Sequence, residues 1–230
     1  MRRPSASLVL WWGVLACAGG GERADPDRRQ ADALDDARPI VLFLGTSLTA
    51  GLGVSPEEAY PALIERRVDS AGYAYRVVNA GVSGETAAGG LRRAEWLLRQ
   101  PIGVLVLELG ANDALRGQDL EETRRSLQEI VRRTRAAHPG ASIIIAGMQA
   151  PPNMGRSYTD AFRRIFPELA QANDAHLIPF LLEGVGGVEE LNQPDGIHPT
   201  AEGHRLLADN VWRVLAPVLQ GRQQAADSSP

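Results

Sequence analysis

The chain contains no lysine: all 24 of its basic residues are arginine, in a sequence of 230. That excludes a Schiff-base lysine, a phosphate-loop lysine and a lysine general base. A single cysteine, Cys17, can form neither an internal disulfide nor a cysteine zinc cage. Four widely spread histidines leave little material for a metal site, and no cofactor is implied. A basic excess is missing too, since 28 acidic residues bring the formal net charge to −4, the wrong balance for a nucleic-acid binder. What is present is ordinary for a globular protein: 44% hydrophobic and 23% charged residues, enough for one compact domain with a sizeable core.

The N-terminus has the pattern of a targeting segment. Arg2 and Arg3 form a basic start, an apolar stretch runs from Ala6 to Ala18, and small residues follow. A stretch of about 12 residues is too short for a spanning helix of roughly 20. Val14-Leu15-Ala16-Cys17 resembles a bacterial lipoprotein box, with Cys17 as the lipidated first residue and 1–16 as the signal. Ordinary cleavage within Ala16-Cys17-Ala18 is the alternative. Either reading predicts export, to the periplasm or outer membrane or into the medium. Residues 17–38 carry Gly, Asp and Arg with almost no apolar side chains, the composition of a flexible tether. Residues 220–230 read as a disordered tail, leaving a folded unit over 39–219.

Within that unit, strands and helices alternate. Short apolar runs predict strands over 39–45, 76–79, 103–109 and 142–146, with a weaker fifth over 176–180. Continuous rather than alternating apolar character suits strands covered on both faces. Helical spacing predicts helices from near Tyr60, over 86–99, from Asp119 to Ala137, over 158–173 and over 200–219. Asp119 and Glu122 have capping-box spacing, and His138-Pro139-Gly140 stops that helix. The alternation implies an α/β fold: a three-layer α/β/α sandwich around a five-stranded parallel sheet, flavodoxin-like in layer order. Function in such a sheet gathers at the carboxyl edge.

Four loops fall on that edge. The first strand ends in Gly45-Thr46-Ser47-Leu48-Thr49, and the second in Asn79-Ala80-Gly81-Val82-Ser83-Gly84-Glu85-Thr86. The third ends in Gly110-Ala111-Asn112-Asp113, and Asp195-Gly196-Ile197-His198-Pro199 precedes the last helix. This set resembles the SGNH hydrolases, also called the GDSL esterase/lipase family. The similarity is greatest to the bacterial arylesterase, acyl-CoA thioesterase I and lysophospholipase L1 group. The family's name-giving residues correspond here to Ser47, Gly81, Asn112 and His198. Two further stretches, 150–162 and 179–184, resemble segments of the same group, and the resemblance spans about 39–218. There is one departure: the family usually has Asp between the Gly and the Ser, where this chain has Thr46.

The residue types fit acyl transfer. A serine hydroxyl becomes a good nucleophile when a neighbouring base takes its proton, and imidazole changes charge near neutral pH. Asp195, three residues before His198, can accept the other ring N–H and stabilise the imidazolium. The resemblance implies an oxyanion hole from the Ser47 and Gly81 backbone N–H groups and the Asn112 amide. Gly81, lacking Cβ, is expected to let substrate approach. The expected activity is hydrolysis of small esters, thioesters or lysophospholipids through an acyl-enzyme, with no nucleic-acid partner.

Taken singly, Ser47 reads as a helix cap, Asn112 and Asp195 as turn residues and His198 as a surface histidine; together they read as a site. Ser83 and Asp113 are assigned to supporting hydrogen bonds, Thr49 and Thr86 to caps, His138 to a helix C-terminus and His204 to structure. Trp96 and Trp212 are expected in the core or at an interface. A metal on Asp195, His198 and His204 is disfavoured for lack of further ligands. The Gly-x-Ser-x-Gly elbow of an α/β-hydrolase is missing around both Ser47 and Ser83. A flavin site after the first strand, a sugar O-acetylesterase and a non-catalytic surface lipoprotein are the remaining alternatives. Few aromatics argue against sugar platforms, and the Met- and Pro-rich loop 148–154 suits an acyl or aryl group.

Overall fold

A computed structural model describes residues 38–228. The expected signal, the lipidation candidate Cys17 and the tether up to residue 37 lie outside the described residues.

Five parallel strands form one sheet: β1 (Ile40–Gly45), β2 (Arg76–Gly81), β3 (Ile102–Glu108), β4 (Ser142–Ala146) and β5 (His176–Ile178). Their order is β2-β1-β3-β4-β5. Every residue of β1 and β3 is buried, which matches their unbroken apolar runs. The edge strand β2 is only partly buried, and β5 is three residues long, cut short before Pro179. In the register of the central strands, Gly45 stands beside Gly81 on one side and Glu108 on the other. The loops after β1, β2 and β3 therefore start level with one another.

The helices are α1 (Ser47–Ala50), α2 (Tyr60–Ser70), α3 (Ala87–Leu97), α4 (Ala111–Leu115), α5 (Leu120–Ala137), α6 (Arg156–Ala172) and α7 (Ala201–Asp227). Helix α2 packs on α7, while α3 packs on α5 and α5 on α6, giving the two outer layers of the sandwich. Phe43, Leu42, Leu44, Ile64, Leu105, Leu107 and Leu127 are fully buried between the layers. Each such side chain contributes roughly 1.5–3 kcal/mol by leaving water.

Local signals explain where the helices begin. Pro61 lies in the first turn of α2, where its missing N–H costs nothing. Thr86 caps α3 by accepting from Gly89 N (3.2 Å), and Asp119 caps α5 by accepting from Glu121 N (2.8 Å). Only this half of the predicted box forms, because Glu122 faces Arg125 instead.

Two expectations are corrected. Helix α7 continues to Asp227 through the region read as a tail. Arg222 anchors it, donating to Tyr75 Oη (2.8 Å), Gly140 O (2.5 Å) and Ser142 Oγ (3.3 Å). Tyr75, just before β2, also accepts from Arg38 at its carbonyl (3.4 Å). Of the two places expected for Trp96, core or interface, the core is ruled out: it projects from α3 with 66% of its surface exposed. Trp212 does pack on the core, 6.4 Å from Tyr73 between ring centres.

Candidate active site

Ser47 opens α1 directly after β1, so the sheet edge itself presents its hydroxyl. Its Oγ lies 2.9 Å from His198 Nε2, and His198 Nδ1 lies 2.6 Å from Asp195 Oδ2. The second carboxylate oxygen of Asp195 accepts the backbone N–H groups of Ile197 (2.9 Å) and His198 (3.0 Å). The Asp-x-x-His turn is thus closed on its own carboxylate, which aims the ring. The hydrogen bond to His198, and then these two amides, hold the Asp195 carboxyl well below its ordinary range.

Gln193 ties this turn to the nucleophile side. Its N–H donates to His198 O (2.7 Å), and its side chain donates to Leu52 O (2.7 Å) and Pro199 O (3.0 Å). Gly53 has φ +83°, and a Cβ there would lie 2.1 Å from the Gln193 amide, so the close approach of the two loops needs glycine.

Asn112 sits in α4 and donates to Glu85 O (2.9 Å), which leaves its second amide hydrogen for the cleft. The loop 82–86 is braced from below: Glu85 pairs with Arg93, whose guanidinium also donates to Ala80 O (2.8 Å), and Arg116 donates to Gly84 O (2.9 Å). Asp113 is buried beneath, accepting from Ala87 N (2.9 Å) and Thr123 Oγ1 (3.2 Å). Burial pushes its carboxyl up, against the pull of those donors. The supporting role expected of Asp113 matches this geometry.

Gly81 departs from expectation. Its N–H donates to Asn79 Oδ1 (2.9 Å) rather than facing the cleft. Its missing Cβ serves packing instead of substrate access: a Cβ there would lie 2.2 Å from Ala50 N, inside α1. Three residues further round the turn, past Ser83, Gly84 has φ +78°, and no hydrogen bond of its N–H occurs among the described residues. The signal for it in the sequence is the second glycine of the loop, just before the Thr86 cap, but only the backbone angle separates the two glycines.

Thr49 is also reassigned. It is buried and caps nothing; its hydroxyl donates to Glu108 Oε2 (2.8 Å) and accepts from Tyr60 Oη (2.6 Å). Thr46 donates both its N–H (2.8 Å) and its hydroxyl (2.9 Å) to the same carboxylate. His138 caps α5 and bonds Leu98 O (2.9 Å), and His204 is buried in α7, where its Nδ1 accepts from Tyr60 N (3.3 Å).

A cleft of about 500 Å³ opens over Ser47 and His198. Its apolar walls come from Leu48, Leu115, Met148, Pro151, Leu182 and Ile197, and no Phe, Tyr or Trp among the described residues lines it. No group of three or more His, Cys, Asp or Glu able to hold a metal ion occurs among the described residues.

A serine, an imidazole and a carboxylate joined in one hydrogen-bonded line at the edge of a parallel sheet define the geometry of a serine hydrolase. The chain belongs to the GDSL-like Lipase/Acylhydrolase family, whose profile matches residues 43–206. It is 41% identical over 184 residues to the esterase TesA of Pseudomonas aeruginosa, covering 80% of this chain and 90% of that protein. It is 39% identical over 185 residues to thioesterase 1/protease 1/lysophospholipase L1 of Escherichia coli, covering 80% and 86%. The crystal structure of TesA superposes with a TM-score of 0.74 at 41% identity, covering 77% of this chain and 98% of that one.

Proposed function

We propose that this protein is an exported serine esterase that hydrolyses small carboxylic esters or thioesters through an acyl-enzyme. The Oγ of Ser47 attacks the carbonyl carbon while His198 Nε2 takes its proton. Asp195 holds the ring tautomer and stabilises the imidazolium. The imidazolium then gives that proton to the departing alcohol or thiol, leaving Ser47 acylated. Water, deprotonated by His198 in turn, attacks the acyl carbon and frees the acid and Ser47.

The oxyanion is met by the Ser47 N–H, the spare amide hydrogen of Asn112 and a backbone N–H from the 82–86 turn. Gly84 takes the place first given to Gly81 in that set, because the Gly81 N–H is already engaged. The observation that carries the reading is the unbroken line from Ser47 Oγ through His198 to Asp195, at 2.9 and 2.6 Å. The cleft above it, walled by aliphatic side chains without an aromatic platform, supports an acyl group over a sugar. Relatives named for esterase, thioesterase and lysophospholipase activity support the same bond class. Export rests on residues 1–18, and lipidation on Cys17.

The test is a panel of p-nitrophenyl esters, acyl-CoA thioesters and lysophospholipids assayed with wild type and Ser47→Ala. The variant is expected to fold, lose kcat by about 10⁴–10⁶ and lose fluorophosphonate labelling. A Ser47→Ala protein turning over ester at the wild-type rate ends the assignment. Mass spectrometry of the mature N-terminus checks Cys17: a start at Ala18 or later rules out the anchor.

A further inference from the structure

Glu108 closes β3 in an unusual setting. It is fully buried at the centre of the sheet, and no ion pair among the described residues includes it. Its partners are all neutral donors from the nucleophile turn. Oε2 accepts Thr46 N–H (2.8 Å) and Thr49 Oγ1 (2.8 Å), and Oε1 accepts Thr46 Oγ1 (2.9 Å). With its one proton given to Glu108, Thr49 accepts in turn from Tyr60 Oη. Gly45 completes the fit, since a Cβ there would lie 2.0 Å from Thr49 Oγ1 and 2.6 Å from Glu108 Oε2.

We infer that Glu108 is a positioning residue for Ser47, and that Thr46 is matched to it. The inference rests on Ser47 being the nucleophile. Thr46 is covalently joined to Ser47, so a carboxylate gripping its N–H and hydroxyl fixes the tilt of α1. That tilt sets both the Oγ that must reach His198 and the Ser47 N–H that must face the oxyanion. A displacement of about 1 Å at such a place costs on the order of 10²-fold in rate.

The match explains the departure at position 46. An Asp there would press a second carboxyl against Glu108 out of water, and two adjacent carboxyls do not both ionise. One shared proton would hold the turn, and it would leave as pH rises. Thr46 brings a proton that does not titrate. Tyr60, on α2, is the titratable group facing Glu108; burial, and then the charge of Glu108, push its phenol well above the ordinary value, so it stays a donor. Burial pushes Glu108 itself up, opposed by the Thr46 and Thr49 donors.

The experiment compares Glu108→Gln, Thr46→Asp and the double variant, with active sites counted by fluorophosphonate so that kcat refers to folded, labelled protein. Labelling of Ser47 in the wild type tests the nucleophile separately. Glu108→Gln is expected to lower kcat per labelled site by roughly 10–100-fold with KM little changed. Thr46→Asp is expected to lose kcat between pH 7 and 10 where the wild type holds level. The double variant is expected to recover that alkaline limb, because Gln donates to the new carboxylate. Should Glu108→Gln fail to fold, Thr46→Val must lower kcat severalfold at constant KM while Thr46→Ser keeps it. Wild-type kcat per site in Glu108→Gln or Thr46→Val, or an alkaline loss in the double variant equal to that of Thr46→Asp, overturns the inference.

Discussion

The two sides of the Ser47–His198 contact are built by opposite means. On the imidazole side, Asp195 is half exposed, and every bond that aims the ring lies within four residues of sequence. On the hydroxyl side, the turn is gripped from beneath by a carboxylate 59–62 residues away, wholly out of water. A short turn is closed mainly by its own bonds, with Gln193 adding a tie to Leu52 O. A buried grip exists only when β1 and β3 are already paired. One half of the site is therefore a local property of the sequence, and the other a property of the assembled sheet.

Substitutions can break that contrast, beginning with the largest effect. Asp195→Asn on the local side should drop kcat by about 10⁴ through the wrong ring tautomer, with the thermal midpoint nearly unchanged. An Asp195→Asn protein of normal activity would remove the carboxylate from the mechanism. Asn112→Ala should cost about 10²–10³ in kcat, again with stability nearly intact. Gly81→Ala sharpens the comparison, because its methyl must displace the backbone of Ala50: it should lower the melting temperature together with the rate. Equal stability in the two variants would argue against the packing role given to Gly81.

Acid provides the smallest test. His204 stands behind Tyr60 on the buried side, where burial lowers its pKa to about 4 from an ordinary 6.5. Its neutral form is the one that fits the fold. The stabilisation is fully present above about pH 6.5 and is lost as pH falls toward 4, on the order of 3 kcal/mol in all. Melting temperature measured from pH 7 to 4.5 should fall less steeply in His204→Gln than in wild type, and parallel curves would remove His204 from the acid response.

The same contrast governs how much could be read from the sequence. Asp195-Gly-Ile-His198 announces itself by spacing, and Ser47 and Asn112 by standing directly after apolar strands. The five strands were visible because their apolar runs are unbroken. Glu108 was in view as the one acid in Val-Leu-Val-Leu-Glu-Leu, yet nothing in its neighbourhood along the chain says which donors fold over it. Thr49 looks like a cap along the chain for the same reason. The two glycines of the β2 loop differ only in backbone angle and hydrogen bonding, quantities that composition does not carry. The end of α7 is hard to see in the sequence because its last turns are polar. Ala, Gln and Arg favour helix there, and Arg222 finds partners on two distant segments.

Tyr75 receives Arg38 on its carbonyl and Arg222 on its hydroxyl, so the beginning and the close of the domain meet below the sheet, at the end opposite the cleft. A bead or a fusion partner joined directly to the folded domain at Arg38 or Asp227 would hold it by its base, leaving the mouth turned outward to whatever drifts past.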